Sequence, residues 1–485
     1  MRREGQRAVL AEHSNDDRRV SRLKGWGTNV QGTHYREGEA GHHVLLNRPT
    51  GDTLRSPTVS PILQQIAKEA RAYPDRVFTT LAHHIDVDLL HEAYARTAKQ
   101  AAPGIDGVTA GIYAENLEEN LVHLHQRMRS GSYQASAVKR VWLDKDDGSQ
   151  RPIGMPTFED KIAQRAVAMI LEAVYEQDFY PFSYGFRPGR NPHRALFELR
   201  ERSMQMKGSW IVDADIKGFF DTIDHDLLRE TIKKRINDGG IIRLIGKWLN
   251  AGVLNGEHVT YPEQGTPQGG VVSPILANVF LHEVLDDWFV NQIKPRLEGN
   301  SFLIRYADDF IIACEFESDA NRVMDVLPKR FDRHGLTIHP TKTRLIAFRR
   351  PEYRHQSGKG HDTFDFLGLT HFWARSRKGT WVIKRKTAKK RMQRAMNALS
   401  NWCRQNRHLS LTEQHRMLCL KLMGHYQYYG ITGNFRMLER VHRHAVAIWR
   451  FWLDRRSSKN AMRWDKFLKI LNTFPLLRPR IVQPI

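Results

Sequence analysis

Between Phe302 and Ile312, two apolar, β-prone runs close on the tip Tyr306-Ala307-Asp308-Asp309. This pattern predicts a hairpin: strand, tight turn, returning strand. Asp tolerates turn geometry, but two adjacent acids between largely apolar strands repel each other. A polar turn without chemistry is the plain alternative. A divalent metal is the chemical one, because Mg²⁺ uses one or two carboxylates and fills its shell with substrate phosphates.

A second acidic strand end lies upstream, in Trp210-Ile211-Val212-Asp213-Ala214-Asp215-Ile216. Strand alternation puts Asp213 and Asp215 on one face, with Ile211 on the same side. Two strand ends that each offer a carboxylate can hold a pair of Mg²⁺ ions, one activating an attacking oxygen and one stabilising a leaving oxygen. That is phosphoryl-transfer geometry.

With these motifs in order, the chain resembles the reverse transcriptases encoded within bacterial group II introns, which also act as splicing maturases. Tyr306-Ala307-Asp308-Asp309 matches the family's catalytic box, and Asp215 to Asp221 matches its first metal-binding motif. The likeness runs from near Phe78 to the C-terminus. It implies an α+β right-hand polymerase: fingers, a palm with an antiparallel sheet, a helical thumb, and a basic C-terminal maturase and DNA-binding region. It further implies that Asp215, Asp308 and Asp309 surround two Mg²⁺ ions (Mn²⁺ a possible substitute), with the backbone carbonyl of Ile216 as a further ligand.

Charge separates the last quarter from the rest. The chain carries a net +22. His371 to Ile485 holds 26 Lys and Arg against four acids (Glu413, Glu439, Asp454, Asp465), leaving 49 residues of each sign in the first 370. All the excess positive charge is therefore C-terminal, and a polyanion is the expected partner. Interleaved aromatics favour nucleic acid over a membrane surface, and no run approaches the apolar length of a membrane span. Cys314, Cys403 and Cys419 are too dispersed for a zinc site or disulfide framework. The expected setting is a reducing one: bacterial cytoplasm, with nucleoid association.

Length suggests two to four domains for 485 residues. Residues 1–60 read as a mobile leader, since they lack apolar periodicity and contain too many acids for a transit peptide. Residues 61–205 read as N-terminal extension and fingers, 206–370 as palm, 371–455 as helical thumb and maturase domain, and 456–485 as a basic tail. Helices are expected at Pro61 onward, Asp86 to Ala98, from Thr157 as N-cap, Ile275 to Leu285 and Asp319 to His334. A strand is expected at Gly335 to His339, and three helices at Lys386 to Arg404, His415 to Tyr429 and Phe435 to Leu453.

Several loops carry binding expectations. Lys145 and Arg151 flank a hairpin turn from which both cations can lean over a triphosphate. Two solvated turn cations are the alternative, and the resemblance implies phosphate binding, although Asp144 stands where the family has proline. Phe220 matches the aromatic that crowds a ribose 2′-oxygen, while Phe219 is expected in the core and His225 to pack rather than ligate metal. Gln268 and Gly269, in a glycine-rich loop ahead of a helix, match the family's nucleotide- and template-positioning loop. Arg187 and Arg190 sit in an aromatic-basic segment suited to template RNA. Lys384, Arg385, Lys389, Lys390 and Arg391 read as an outward, backbone-tracking surface. Phe366, Leu367 and Gly368 match the primer grip.

The implied function is an RNA-directed DNA polymerase that binds group II intron RNA, assists its splicing and copies it using deoxynucleotides and a DNA primer. No Cys- and His-bearing endonuclease segment follows, so second-strand cleavage is not expected and primers would come from existing DNA ends. The alternatives are a maturase acting mainly in splicing and a domesticated reverse transcriptase without an intron. The resemblance leaves oligomeric state open.

Overall fold

The computed structural model describes residues 60–144, 150–206, 208–255, 258–261, 265, 269–351, 362–456 and 462–485. The leader, Lys145 and Gln268 lie outside these residues, as does the side chain of Arg151.

The N-terminal helices gather around one apolar rod. The helix Phe158–Tyr175 is buried on nearly every side, and the helices Pro61–Ala72 and Val87–Arg96 pack on it. Their starts follow local chemistry. Pro61 opens the first helix, where its missing N–H costs nothing. Asp86 accepts from Leu89 N–H at 2.8 Å, and Thr157 Oγ1 accepts from Asp160 N–H at 3.1 Å.

Eleven strands are described. β1 (Val138–Asp144) and β2 (Gln150–Met155) form a hairpin; β3 (Gly208–Ala214) stands apart; β4 (Val253–Asn255) and β5 (His258–Thr260) form a second hairpin. β6 (Ser301–Tyr306), β7 (Asp309–Cys314) and β8 (Arg344–Arg349) follow, then β9 (Phe364–Phe366), β10 (Leu369–Arg375) and β11 (Trp381–Thr387). They make three sheets, ordered β2-β1-β4-β5, β6-β7-β3-β8 and β11-β10-β9. The middle sheet is antiparallel throughout. Its strands β6 and β7 are buried along almost their whole length, with the helix Glu317–Asp332 against β3, β7 and β8. The result is a mixed α+β fold whose acids sit at one end of a sheet with a dry interior.

A second core belongs to the last quarter. Helices Lys389–Gln405, Leu411–Tyr429, Phe435–Asp454 and Trp464–Thr473 surround Leu399, Leu418, Leu422, Phe467 and Trp449, the last fully buried. Two sequence expectations need correction. The hairpin of β10 and β11 carries the chain to Thr387, so the expected helix at Lys386 begins only at Lys389. The expected strand Gly335–His339 is reduced to one bridge between Ile216 and Ile338, because that segment meets only the chain just beyond β3.

Candidate active site

The acidic tip is built by pairing register. Tyr306 pairs with Asp309, leaving Ala307 and Asp308 as a two-residue loop between β6 and β7. Ala307 takes a φ of 58°, the left-handed value that tight hairpin turns require at their first central position. β3 pairs with β7 so that Ala214 faces Phe310. One residue beyond, Asp215 leaves the strand within electrostatic reach of Asp309. Ile211, Val212, Phe310, Ile311 and Ile312, all fully buried, anchor the strand ends from behind.

The electrostatics follow from that crowding. The protein crowded around Asp309 partly desolvates its carboxyl and pushes it up to about 8, with Asp308, Asp213 and Asp215 adding to the rise and Arg391 opposing it. Solvent still reaches Asp309 from the open side of the turn. Repulsion among the four carboxylates is therefore the firmer part of that rise. Burial also raises the Asp213 carboxyl, against the pull of Arg344.

Counter-charge arrives from far along the chain. Lys342 Nζ donates to Asp215 Oδ2 at 2.9 Å, and Arg344 Nη2 donates to Asp213 Oδ2 at 2.8 Å. Arg344 stands directly opposite Asp213 in the β3–β8 register. Neither partner lies in the sequence around the acids.

Among the described residues, no three His, Cys, Asp or Glu side chains converge as a complete metal cage. The acids fit a different kind of site. Mutually repelling carboxylates open to solvent suit a divalent ion whose remaining ligands are substrate phosphates. The bridge beside Asp215 runs through Lys217 N–H to Thr337 O (2.9 Å) and His339 N–H to Asp215 O (2.7 Å), so it does not use the Ile216 carbonyl.

The neighbouring loops are held by close approach. Phe219 and Phe220 are both buried, edge to face at 5.2 Å. Gly265, with φ of 90°, passes their backbone so closely that a Cβ would lie 2.9 Å from the Phe220 and Asp221 carbonyl oxygens. The His225 ring bonds the Gly265 carbonyl at 2.5 Å and packs this loop. Gly269 rests against the carbonyl of Gly154 in β2. Gln164 Oε1 accepts from Val271 N–H at 2.7 Å. Sequence reasoning missed Gln164, one of several polar residues on a helix that also carries Asp160 and Lys161 in its buried set.

Three expected binding residues turn inward. Arg187 is buried: its guanidinium bonds the Glu176 carboxylate at 3.0–3.1 Å and the Tyr180 and Ser183 carbonyls at 2.8 Å. Every nitrogen it has is occupied within the fold, which leaves none for template. Arg385 is buried in β11 and donates to Leu196 O at 3.2 Å. Phe366 lies in the core, so only Leu367 and Gly368 of that trio reach the surface. These two form a hairpin turn with φ of 49° and 75°, and Tyr428 Oη donates to the Leu367 carbonyl at 2.8 Å.

The remaining cations are distributed more finely than the sequence suggested. Lys386, Lys389 and Lys390 are exposed, Lys384 is half-buried, and Arg391 leans close enough to Asp309 to lower its pKa. Arg190 is half-buried, 5.6 Å over the Tyr184 ring. Phe186, in the same aromatic-basic segment, is exposed at a φ of 58° immediately after Gly185.

The family described as "Reverse transcriptase (RNA-dependent DNA polymerase)" matches residues 143–371. Over 249 residues the chain is 38% identical to the group II intron-encoded protein LtrA of Lactococcus lactis subsp. cremoris, covering 50% of this chain and 40% of that protein. Over 240 residues it is 33% identical to protein YkfC of Escherichia coli, covering 43% of this chain and 62% of that one. Over 90 residues it is 32% identical to Nuclear intron maturase 1, mitochondrial, of Arabidopsis thaliana, covering 19% and 12%. Each match thus spans less than two thirds of the relative's own length. Motif order, sheet register and these similarities converge: residues 143–371 match the reverse transcriptase family, and the chain is similar over about half its length to group II intron-encoded proteins.

Proposed function

We propose that this protein is an RNA-directed DNA polymerase that binds group II intron RNA, assists its splicing and copies it into DNA. The observation that carries the reading is the gathering of Asp213, Asp215 and Asp308 within electrostatic reach of Asp309, at the end of a buried antiparallel sheet. RNA binding alone gives no reason to gather repelling carboxylates there.

Reverse transcriptase domains work with divalent metal ions. Two Mg²⁺ ions, with Mn²⁺ able to substitute, would be held by Asp215, Asp308, Asp309 and the Ile216 carbonyl. Bound there, such an ion makes the primer 3′-oxygen a better nucleophile and offsets charge on departing pyrophosphate. The protein's own groups do the rest. Lys145 and Arg151 meet the triphosphate, Gln268 and Gly269 lie beside the nascent pair, and Phe220 excludes a ribose 2′-hydroxyl. Leu367 and Gly368 present backbone to the primer end. Arg190, Lys384, Lys389 and Lys390 meet template and intron RNA, and the DNA target supplies the primer.

The sheet β6-β7-β3-β8 and its helices form the palm, within 206–370, and the segment 61–205 forms the N-terminal extension and fingers. The helices from Lys389 form the thumb and maturase region within 371–455, and 456–485 is a basic tail. Among the described residues no helix is long and apolar enough to cross a membrane; the proposed setting is the bacterial cytoplasm, near the nucleoid. A mainly splicing role is the second reading, favoured by the basic last quarter.

Primer extension on an RNA template with Mg²⁺ and deoxynucleotides tests the proposal. Extension by the wild type and none by Asp308→Asn supports it. No extension by the wild type, with RNA binding intact, favours the splicing reading.

A further inference from the structure

Arg305 is a charged residue, fully buried, two positions before the left-handed residue of the acidic turn. Its backbone is bonded on both sides by the segment 182–184: Arg305 N–H donates to Phe182 O at 3.0 Å, and Tyr184 N–H donates to Arg305 O at 2.8 Å. Its guanidinium grips the equally buried Asp286 through Nε and Nη2, at 2.8 and 2.5 Å. Nη1 reaches further, donating to Asn278 Oδ1 at 2.8 Å and to the Ala307 carbonyl at 3.2 Å. Asn278 Nδ2 donates in turn to the Gly185 carbonyl at 2.8 Å. Gly185 lies so close to the turn that any Cβ there would strike the backbone nitrogen of Ala307.

Ala307 gives this clamp a purpose. Alanine adopts left-handed backbone at a cost, and such residues persist only where the surroundings over-determine them. Here a carbonyl bond holds the turn from one side and the glycine backbone supports it from the other. Asp286 sits in the π-helical stretch His282–Asp287 that continues the helix Ser273–Leu281, a geometry frequent at functional sites. Asn278 lies on the same helix and joins both supports. As a stability device alone the arrangement is a poor one, because apolar residues of similar volume often replace a buried ion pair without loss.

We propose that Arg305, Asp286 and Asn278 are positioning residues that hold the Ala307–Asp308 turn in its left-handed shape and so set where the Asp308 and Asp309 carboxylates stand. None of them touches substrate. The inference rests on the polymerase reading above, and its test separates the two.

Asn278→Ala strands no charge, so it is the informative variant. It is examined in the wild-type background and in Ala307→Gly, where glycine adopts the same φ freely. In the wild-type background kcat falls by on the order of 10²-fold, the scale of a roughly 1 Å misplacement. Half-saturating Mg²⁺ rises several-fold, while KM for deoxynucleotide and RNA affinity stay put. In the Ala307→Gly background the same substitution costs about tenfold less, because the strain it releases is already gone. Equal losses in both backgrounds, or a lower Tm with unchanged kcat, overturn the proposal. If the wild type extends no primer, the polymerase reading fails by itself. A Mn²⁺ titration without substrate then still decides: binding weakened by Asn278→Ala and recovered in the double variant supports the clamp, and unchanged binding overturns it.

Discussion

The acidic end of the central sheet and the helical last quarter handle charge in opposite ways. In the sheet, each acid has one address, set by strand register: Asp309 against Tyr306, Asp213 against Arg344, and Asp215 just past the end of the same strand as Asp213. Strands β6 and β7 behind them are buried almost throughout, so a one-residue slip would carry every acid to the other face. In the last quarter, the core around Trp449 and Leu422 is separate from the cations, which ride on its surface. No register fixes Lys389 relative to Lys390. Chemistry on a reacting phosphate needs carboxylates held to a fraction of an ångström. Holding a polyanion needs only a field of the right sign. The two regions differ in the precision their tasks demand.

The largest effect that sharpens this contrast concerns Arg187, which looked like a binding residue and is built like a scaffold residue. Arg187→Ala leaves Glu176 unpaired and destabilises the fold by about 3–5 kcal/mol, read as a fall in denaturation midpoint. The salt dependence of RNA binding by the surviving folded fraction stays unchanged; a flattened slope would return Arg187 to the binding surface. Next comes the combined reversal Lys386→Glu, Lys389→Glu and Lys390→Glu. RNA affinity falls by on the order of 10²-fold, and the slope of log affinity against log salt drops by about 2 if three phosphate contacts are lost. A filter-binding titration across salt concentrations reads both, and kcat at saturating RNA is preserved.

Smaller still is the effect of pH on metal binding. With the Asp309 carboxyl pushed up to about 8, a proton must leave before the carboxylate can ligate a cation. Mn²⁺ affinity therefore rises with pH by up to about tenfold per unit below that value and levels off above it. A flat profile from pH 6 to 8 would show that the carboxylates do not share charge as described. The smallest expected change is Tyr428→Phe, which removes the hydrogen bond to Leu367 O, worth about 0.5–1.5 kcal/mol. It should raise KM for primer severalfold and leave RNA affinity alone; a lowered RNA affinity with unchanged primer KM would place Tyr428 on the other side of the comparison.

The sequence made the precise region legible and blurred the other. The hairpin at Asp308-Asp309 and the acidic strand at Asp213-Ala214-Asp215 are short-range patterns, and Asp86 and Thr157 mark helix starts by local chemistry; all appear where expected. What stayed hidden was long-range. An arginine's direction depends on which carbonyls distant segments leave over, as with Tyr180 and Ser183 around Arg187. Lys384-Arg385-Lys386 reads as one basic patch in sequence, but β11 splits it by alternation: Arg385 goes in with Ile383 and Thr387, and Lys386 goes out. Lys342 and Arg344 reach the acids only because β8 pairs with β3. Arg391 was read as part of the RNA surface, whereas its charge is felt at Asp309.

The measurement that bears most directly on the division of labour pairs two assays on the same preparations: single-turnover primer extension and RNA affinity, for Asp308→Asn and for the triple lysine reversal. Asp308→Asn should lose synthesis by on the order of 10²–10³-fold or more with RNA affinity within about twofold, while the lysine reversal should lose affinity and keep its rate once RNA is saturating. An Asp308→Asn protein that extends primers at the wild-type rate, or that loses RNA affinity as much as the lysine variant does, would contradict the account.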